Sequence, residues 1–295
     1  MMDTLDRRIE DGCLYLTLNR PQARNAMSRA MVAELGQAIE RAGADDGIRV
    51  VVLRGAGGHF CAGADIGDMA AARAESGADP EALAEINRGF GRVISALDAS
   101  PKTVIAVLEG AVLGGGLGLA CVSDVAIVRA DARLGLPETT LGLPPAQIIP
   151  FVVARIGLSQ ARRLALTGAR LDGAQAFELG LAHLLCADGQ ALEKTLAETI
   201  EAALGCAPHA AAQTKALLLA TRELATEALL DRGARAFAEA ALGDEAMEGT
   251  LAFMQKRKPR WAQKPPSDIA QRGTSQGEAR QSEAPQNDTP GGELR

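Results

Sequence analysis

The sequence is poor in the side chains that most often move protons or hold metals, with 3 histidines in 295 residues, at positions 59, 183 and 209. Their separations match no metal-ligand spacing, so neither a metal centre nor a histidine-based triad is expected. Paired cysteines are lacking as well. The 5 cysteines, at 13, 61, 121, 186 and 206, are far apart, odd in number and without a C-x-x-C pair. That argues against a disulfide framework or a zinc site and fits a reducing, cytoplasmic compartment. Basic residues are not in excess: 31 Lys and Arg stand against 37 Asp and Glu, a net charge of −6, so no nucleic-acid partner is expected. The N-terminus, MMDTLDRRIEDG, is charged from its third residue and has no apolar core of a secretory signal. The longest uncharged apolar stretch, residues 110–123, is laden with glycine and too short to span a bilayer, so no membrane association is expected.

What remains is a chain with 47% hydrophobic and 23% charged residues, enough apolar material for a sizeable core. It is unevenly spread. Between 263 and 295 the apolar residues are Ile269, Ala270, Ala279, Ala284 and Leu294, among Gln, Ser, Pro, Gly and alternating charges. Such a segment cannot bury enough surface to offset the entropy of ordering itself, so a disordered tail is expected there. The folded body is then residues 1–262.

In the first half of that body, short β-rich runs alternate with helical patterns. Cys13–Leu18, 50–53, Thr103–Leu108 and 125–128 read as strands. Ser28 caps a helix with Met31, Leu35 and Ile39 at four-residue spacing, and a second helix over about 81–97 carries the stripe Leu83, Ile86, Phe90, Val93 and Leu97. Strands alternating with helices imply right-handed crossovers and a mostly parallel sheet, an α/β fold. Beyond Pro145 strand signals are sparse, and residues 159–167, 173–179, 192–203, 208–219, 221–242 and 249–256 read as helices.

Three segments have the composition of a ligand site. Residues 110–118 (GAVLGGGLG) follow a strand and open an apolar helix, but G-x-G-x-x-G fails in every register, because position 119 is Leu and position 121 is Cys. Glycines at a helix start allow close approach of backbone N–H groups to a developing anion, and equally allow a tight packing turn. Residues 59–66 (HFCAGADI) follow an earlier strand at the equivalent end, where loops of a parallel sheet form a crevice; an ordinary connection with Asp65 at a helix start is the alternative. Glu138, after Pro137 and among Leu134, Leu136, Leu141 and Leu143, would have a raised pKa if partly buried and could serve as acid or base, or could simply open a helix.

Residues 18–27 (LNRPQARNAM), 59–66, 110–124, Pro137-Glu138 and 248–259 (EGTLAFMQKRKP), in this order, resemble the enoyl-CoA hydratase/isomerase (crotonase) superfamily from about residue 10 to 261. The resemblance implies a spiral of ββα units over 1–200 and a helical oligomerisation region over 201–262 that builds a homotrimer, commonly two trimers in a hexamer. It implies an acyl-CoA thioester as substrate, with no cofactor besides the coenzyme A that the substrate carries. By motif match the backbone N–H groups of Ala64 and Gly115 form an oxyanion hole for the thioester enolate, and Glu138 is the acid/base. Gln22, Ala23, Arg24, Ala62, Asp65 and Ile66 would bind CoA, with Phe253 and Lys256 reaching in from the C-terminal helix, and the basic run at 256–260 would meet its phosphates.

One position departs from the hydratase pattern. Such enzymes carry a second glutamate in the helix after the glycine cluster, where this chain has Gly118. A single glutamate fits a Δ3,Δ2-enoyl-CoA isomerase. It also fits a branch resembling 3-methylglutaconyl-CoA and isohexenylglutaconyl-CoA hydratases, to which residues 137–157 are similar. In that branch the substrate brings its own carboxylate, and Gly118 would remove a like charge and make room for it, with Gln147 helping to orient water. Gly118 could instead only pack the helix closely. A non-catalytic CoA- or RNA-binding homologue is a third reading, against which the acidic balance and the retained Glu138 weigh.

Overall fold

A computed structural model of the chain describes residues 4–77 and 79–263, and residues 1–262 make up one compact unit. The tail expected over 263–295 lies, but for Gln263, outside the described residues. The larger sheet has the order β1-β2-β3-β4-β6-β9, and the smaller one the order β5-β7-β8. In chain order the strands are β1 (Leu5–Glu10), β2 (Cys13–Leu18), β3 (Val50–Gly55), β4 (Thr103–Leu108), β5 (Ala111–Leu113), β6 (Val125–Arg129), β7 (Arg133–Gly135), β8 (Arg170–Asp172) and β9 (Leu184–Cys186).

β1 and β2 form an antiparallel hairpin around Asp11 and Gly12, both at positive φ, as an Asp-Gly turn requires. The other neighbours in the large sheet are parallel, with Cys13 opposite Val50, Val50 opposite Thr103 and Ile105 opposite Val125. Both faces of that sheet are covered. Leu16, Leu53, Ala106 and Val128 face the main core, while Cys13, Val52, Val107 and Ile127 pack under Leu192 and Leu196 of a later helix. Strands buried on both sides need no alternation, which is why 50–53 and 103–108 read as continuous apolar runs.

The helices are α1 (Arg29–Ala44), α2 (Ile66–Glu75), α3 (Pro80–Asp98), α4 (Gly115–Val122), α5 (Ile149–Thr167), α6 (Gly173–Glu178), α7 (Gly189–Gly205), α8 (Pro208–Ala220), α9 (Thr226–Ala241) and α10 (Asp244–Met254). Ser28 caps α1 as expected, its hydroxyl accepting from Met31 N–H at 3.2 Å. Some helix starts differ from those the sequence suggested. α5 is two helical pieces joined at Gly157, whose φ of 74° and ψ of 158° are not helical; the second piece is the helix expected over 159–167, and the first, from Ile149, is additional. α10 starts at Asp244 rather than 249. α9 starts at Thr226 rather than 221, since residues 221–224 close a turn on Leu218, Leu219 and Ala220 carbonyls.

Isolated bridges join Cys61 to Val112 and Met27 to Ala64, so the smaller sheet continues toward the loop after β3. The chain thus leaves the large sheet after β3, β4 and β6 and each time crosses to the smaller one, at Cys61, β5 and β7. This is the expected crotonase spiral of ββα turns.

Candidate active site

The site grows out of three loops at the ends of β2, β3 and β4. Asn25, fully buried and at φ 57°, accepts from Arg20 N–H through Oδ1 (2.8 Å) and donates through Nδ2 to the carbonyls of Ala56 (2.9 Å) and His59 (2.6 Å). It clips the first loop to the second. Ala62 N–H then donates to Arg24 O (3.0 Å), Met27 N–H to Gly63 O (2.8 Å) and Asp65 N–H to Met27 O (3.0 Å). The Ala64 N–H lies between these and has no protein acceptor among the described residues. Cys61 N–H donates to Ala111 O (2.8 Å) and Leu113 N–H to Cys61 O (2.9 Å), which lays 61–64 alongside 111–115.

Gly115 opens α4, and its N–H, at the first helical position, is likewise without a protein acceptor among the described residues. Two orphaned donors on adjoining segments are the geometry of an oxyanion hole, where each donor is worth roughly 3 kcal/mol to a transition state. Gly114 sets up the turn: at φ 52°, ψ −120° it occupies backbone space that only glycine enters freely, and its N–H donates to Gly135 O at 3.0 Å. A Cβ on Gly115 would overlap Met27 Cε and stand 3.3 Å from the Phe90 ring, so Met27 and Phe90 form the wall beside the donors.

Glu138 begins a short 3-10 turn (Glu138–Leu141) held by Leu143 N–H on Glu138 O (3.0 Å) and by the Thr139 hydroxyl on Ala165 O (2.7 Å). Its Oε1 stands 2.5 Å from where a Gly114 Cβ would be, so the carboxylate lies against the oxyanion turn. Oε2 is buried with no hydrogen-bond partner among the described residues. Burial pushes this carboxyl pKa up, and the residue's own backbone N–H offsets only part of that rise. A half-buried carboxyl with a raised pKa and one unpartnered oxygen, next to two orphaned N–H groups, is equipment for proton transfer at a carbon beside a polarised carbonyl.

Residues 8–264 match the family model for enoyl-CoA hydratase/isomerase. The chain belongs to that family. Its crotonase fold is shared by Pseudomonas aeruginosa AtuE, 60% identical with a TM-score of 0.86 over 88% of this chain and all of that one. The 2,3-dehydroadipyl-CoA hydratase of Escherichia coli K12 is 34% identical over 83% of this chain and 93% of its own length. The peroxisomal Delta(3,5)-Delta(2,4)-dienoyl-CoA isomerase of Arabidopsis thaliana is 30% identical over 88% and 96%. The chain is an enzyme of the enoyl-CoA hydratase type.

At Gly118 the structure carries the packing alternative and not the open slot. It is buried inside α4, and a Cβ there would overlap the Ile148 side chain, 2.9 Å from its Cβ, and lie 3.0 Å from Ile94 Cδ1. The slot expected to stand open for a substrate carboxylate is filled by Ile148, so the glycine serves helix packing. Gln147, proposed to orient water, donates through Nε2 to Asn87 Oδ1 at 2.8 Å on α3.

Of the first-loop residues, Gln22 and Ala23 lie in a 3-10 turn (Pro21–Ala23) capped by a left-handed Arg24, next to Ala62. Ile66 beside them is exposed, but the Asp65 carboxylate is already engaged: it caps α2 by accepting from Asp68 N–H (3.0 Å) and pairs with Arg20 (2.7 Å). Both keep its pKa low, the backbone bond most. Phe253 and Lys256 lie at the exposed end of α10, and no described hydrogen bond joins them to these loops. The basic run is partly occupied too. Arg257 and Arg260 surround the carboxylate of Glu248, at 2.7 and 3.6 Å, and hold its pKa down to about 2.

Sequence reasoning missed Arg155, on α5. Its Nη2 donates to Cys121 O (2.7 Å) and Ser123 O, its Nε also reaches Cys121 O (3.2 Å), and Nη1 lies 2.6 Å from His183 Nε2. A guanidinium thus caps the C-terminal end of the helix whose N-terminal end carries Gly115. Arg155→Met leaves those carbonyls without donors, an expected loss of about 3 kcal/mol and about 8 °C in Tm, read by thermal unfolding.

Proposed function

We propose that this enzyme adds water across the Cα=Cβ bond of a branched 2-enoyl-CoA with a distal carboxylate, a 3-substituted glutaconyl-CoA of the isohexenylglutaconyl or 3-methylglutaconyl kind, in acyclic terpene or leucine breakdown. The observation that carries the reading is a single half-buried carboxyl, Glu138, set against the turn that carries the Gly115 donor, with Gly118 closed to a second one. The thioester oxygen takes the two N–H groups. Glu138 accepts a proton from the attacking water through one oxygen and returns a proton to Cα through the other, so the side chain begins and ends ionised. Support for a carboxylated substrate comes from the E. coli relative named for 2,3-dehydroadipyl-CoA, an enoyl thioester of a dicarboxylic acid.

A single glutamate also suits proton shuttling between C2 and C4, and the Arabidopsis relative is named an isomerase. Purified enzyme is therefore to be assayed against crotonyl-, 3-methylglutaconyl-, isohexenylglutaconyl- and 3-enoyl-CoA. The highest kcat/KM is expected on a glutaconyl thioester; turnover confined to 3-enoyl-CoA overturns hydration, and RNA retention without turnover overturns both.

The C-terminal helices support assembly as a homotrimer or a hexamer of two trimers. α9 buries no residue, and Leu218, Leu230, Phe237, Leu242 and Phe253 are all well exposed. In such an assembly Phe253 and Lys256 would reach the CoA of a neighbouring copy. Among the described residues no helix is long and apolar enough to cross a membrane. We assign the enzyme to the cytoplasm.

A further inference from the structure

We propose that Arg20 is a positioning residue for the oxyanion hole: its guanidinium starts a relay of hydrogen bonds through two peptide units that aims and polarises the Ala64 N–H. This rests on the oxyanion hole proposed above and not on the identity of the acyl chain. Arg20 follows β2 and is fixed by its own loop. Its N–H donates to Asn25 Oδ1 at 2.8 Å, and its carbonyl accepts from Ala23 N–H (2.9 Å) and Asn25 N–H (2.9 Å). The half-buried side chain turns back across that loop, where Nη1 donates to Ala26 O at 2.6 Å.

Two peptides carry the effect forward. Ala26 C=O and Met27 N–H belong to one peptide unit, as do Gly63 C=O and Ala64 N–H; both units are trans, so in each the N–H points opposite to the C=O. Met27 N–H donates to Gly63 O at 2.8 Å, which aims the Ala64 N–H away from the first loop. That N–H is the open end of a chain running from the guanidinium to Ala26 O, from Met27 N–H to Gly63 O, and out to the thioester oxygen. Hydrogen bonds in such a chain polarise one another, and a charged donor at its start strengthens the rest. The unit is also held against rotation. Asp65 N–H donates to Met27 O at 3.0 Å, and Gly63, at φ 98°, packs so closely that a Cβ there would stand 3.3 Å from Leu113 O.

Asp65 has a place in the same device. Its Oδ2 lies 2.7 Å from the same Nη1 while Oδ1 accepts from Asp68 N–H at 3.0 Å, so the carboxylate holds the guanidinium on Ala26 O and caps α2 at once. The residue after the donor is thereby tied to the loop before it, a different task from the CoA contact that the family resemblance implies. The Gly115 donor needs no such support. Its peptide oxygen, Gly114 O, accepts from Gly118 N–H at 3.0 Å inside α4, so the helix itself polarises it. The two donors therefore draw their strength from different sources, a helix for one and Arg20 for the other.

The test compares full-length wild type with Arg20→Gln and Arg20→Lys. Binding of isovaleryl-CoA, a saturated thioester, is read by calorimetry, the stretching band of its bound, isotope-labelled carbonyl by infrared spectroscopy, and kcat on the enoyl-CoA that wild type turns over fastest. In wild type the bound carbonyl band is expected below its position in water, because two donors polarise it. Arg20→Gln is expected to give back part of that shift and lower kcat about 10-fold with Kd within about 2-fold, a smaller loss than removing a donor outright. Arg20→Lys, which keeps a charged donor for Ala26 O, should recover most of both. If wild type shows no shift, the oxyanion hole is overturned and Arg20 with it. If wild type shows the shift and Arg20→Gln lowers Tm alone, keeping band and kcat, or raises Kd with kcat unchanged as a CoA contact would, the hole stands and the assignment of Arg20 is overturned. Should Arg20→Gln not fold, Asp65→Asn takes its place: Asn still caps α2 but no longer holds the guanidinium on Ala26 O, and an unmoved band and kcat there overturn the assignment equally.

Discussion

Replacing Glu138 by Gln is expected to lower kcat about 1000-fold while leaving the Kd of a saturated acyl-CoA within about 2-fold, the range for removing a positioned acid/base. Gln keeps the shape and abolishes the proton transfer; the Ala64 and Gly115 donors still hold the thioester. Wild-type kcat/KM should fall as pH drops through the pKa of Glu138, because the carboxylate is the form that accepts the water proton. That fall is expected above the usual glutamate range, since burial raises the pKa. Stability moves the other way. A carboxyl whose pKa rises on folding contributes most when protonated, and the contribution is lost as pH rises through the folded-state pKa. Glu138→Gln should therefore match wild type in Tm at low pH and exceed it by about 2 °C at pH 8, where wild type carries a partly buried charge with an unpartnered oxygen. A variant that keeps its turnover and loses stability would make Glu138 a structural residue.

The parts of this site that sequence reasoning reached share one property: each depends on local chain chemistry. The strand at Thr103–Leu108 followed by glycines announces a turn into a helix, and the turn needs a backbone like that of Gly114 wherever it sits. Ser28 as a cap and Pro137 ahead of Glu138 are equally local. The three-residue strands β5, β7, β8 and β9 were not legible, because a strand that short has no periodicity and is held by its partners. β1 was hidden by its charges: one of its residues, Leu5, is buried, and the rest form an edge on which charge protects against pairing with other chains. The same limit hid Ile148 as the neighbour of Gly118 and Arg155 as the cap of α4. Ile148 is thirty residues from Gly118 in sequence, and nothing at either position says that one fills the space above the other. A missing glutamate leaves a vacant slot and close helix packing equally open at Gly118, and only the position of Ile148 decides for packing.

Gly118→Glu is expected to abolish accumulation of folded enzyme at 37 °C rather than to install a second catalytic carboxylate. The helix face at 118 has no spare volume: even a Cβ stands 2.9 Å from Ile148 Cβ and 3.0 Å from Ile94 Cδ1, and the flanking Leu117 and Leu119 are fully buried. Overpacking a filled core costs about 1–3 kcal/mol, and an ionisable group forced among apolar side chains without a partner adds several more, a large share of a typical folding free energy. Gly118→Ala isolates the first of these, with an expected drop of about 6 °C in Tm. Ile148→Ala alone should also destabilise, by leaving a cavity. In the double variant the two errors offset each other, because the new methyl enters the space that Ile148 vacates, so a coupling of about 2 kcal/mol in the stabilising direction is expected from the four-way comparison. Strict additivity would mean that Ile148 does not fill the slot. Such a result would restore an open position beside α4, with room there for the substrate carboxylate.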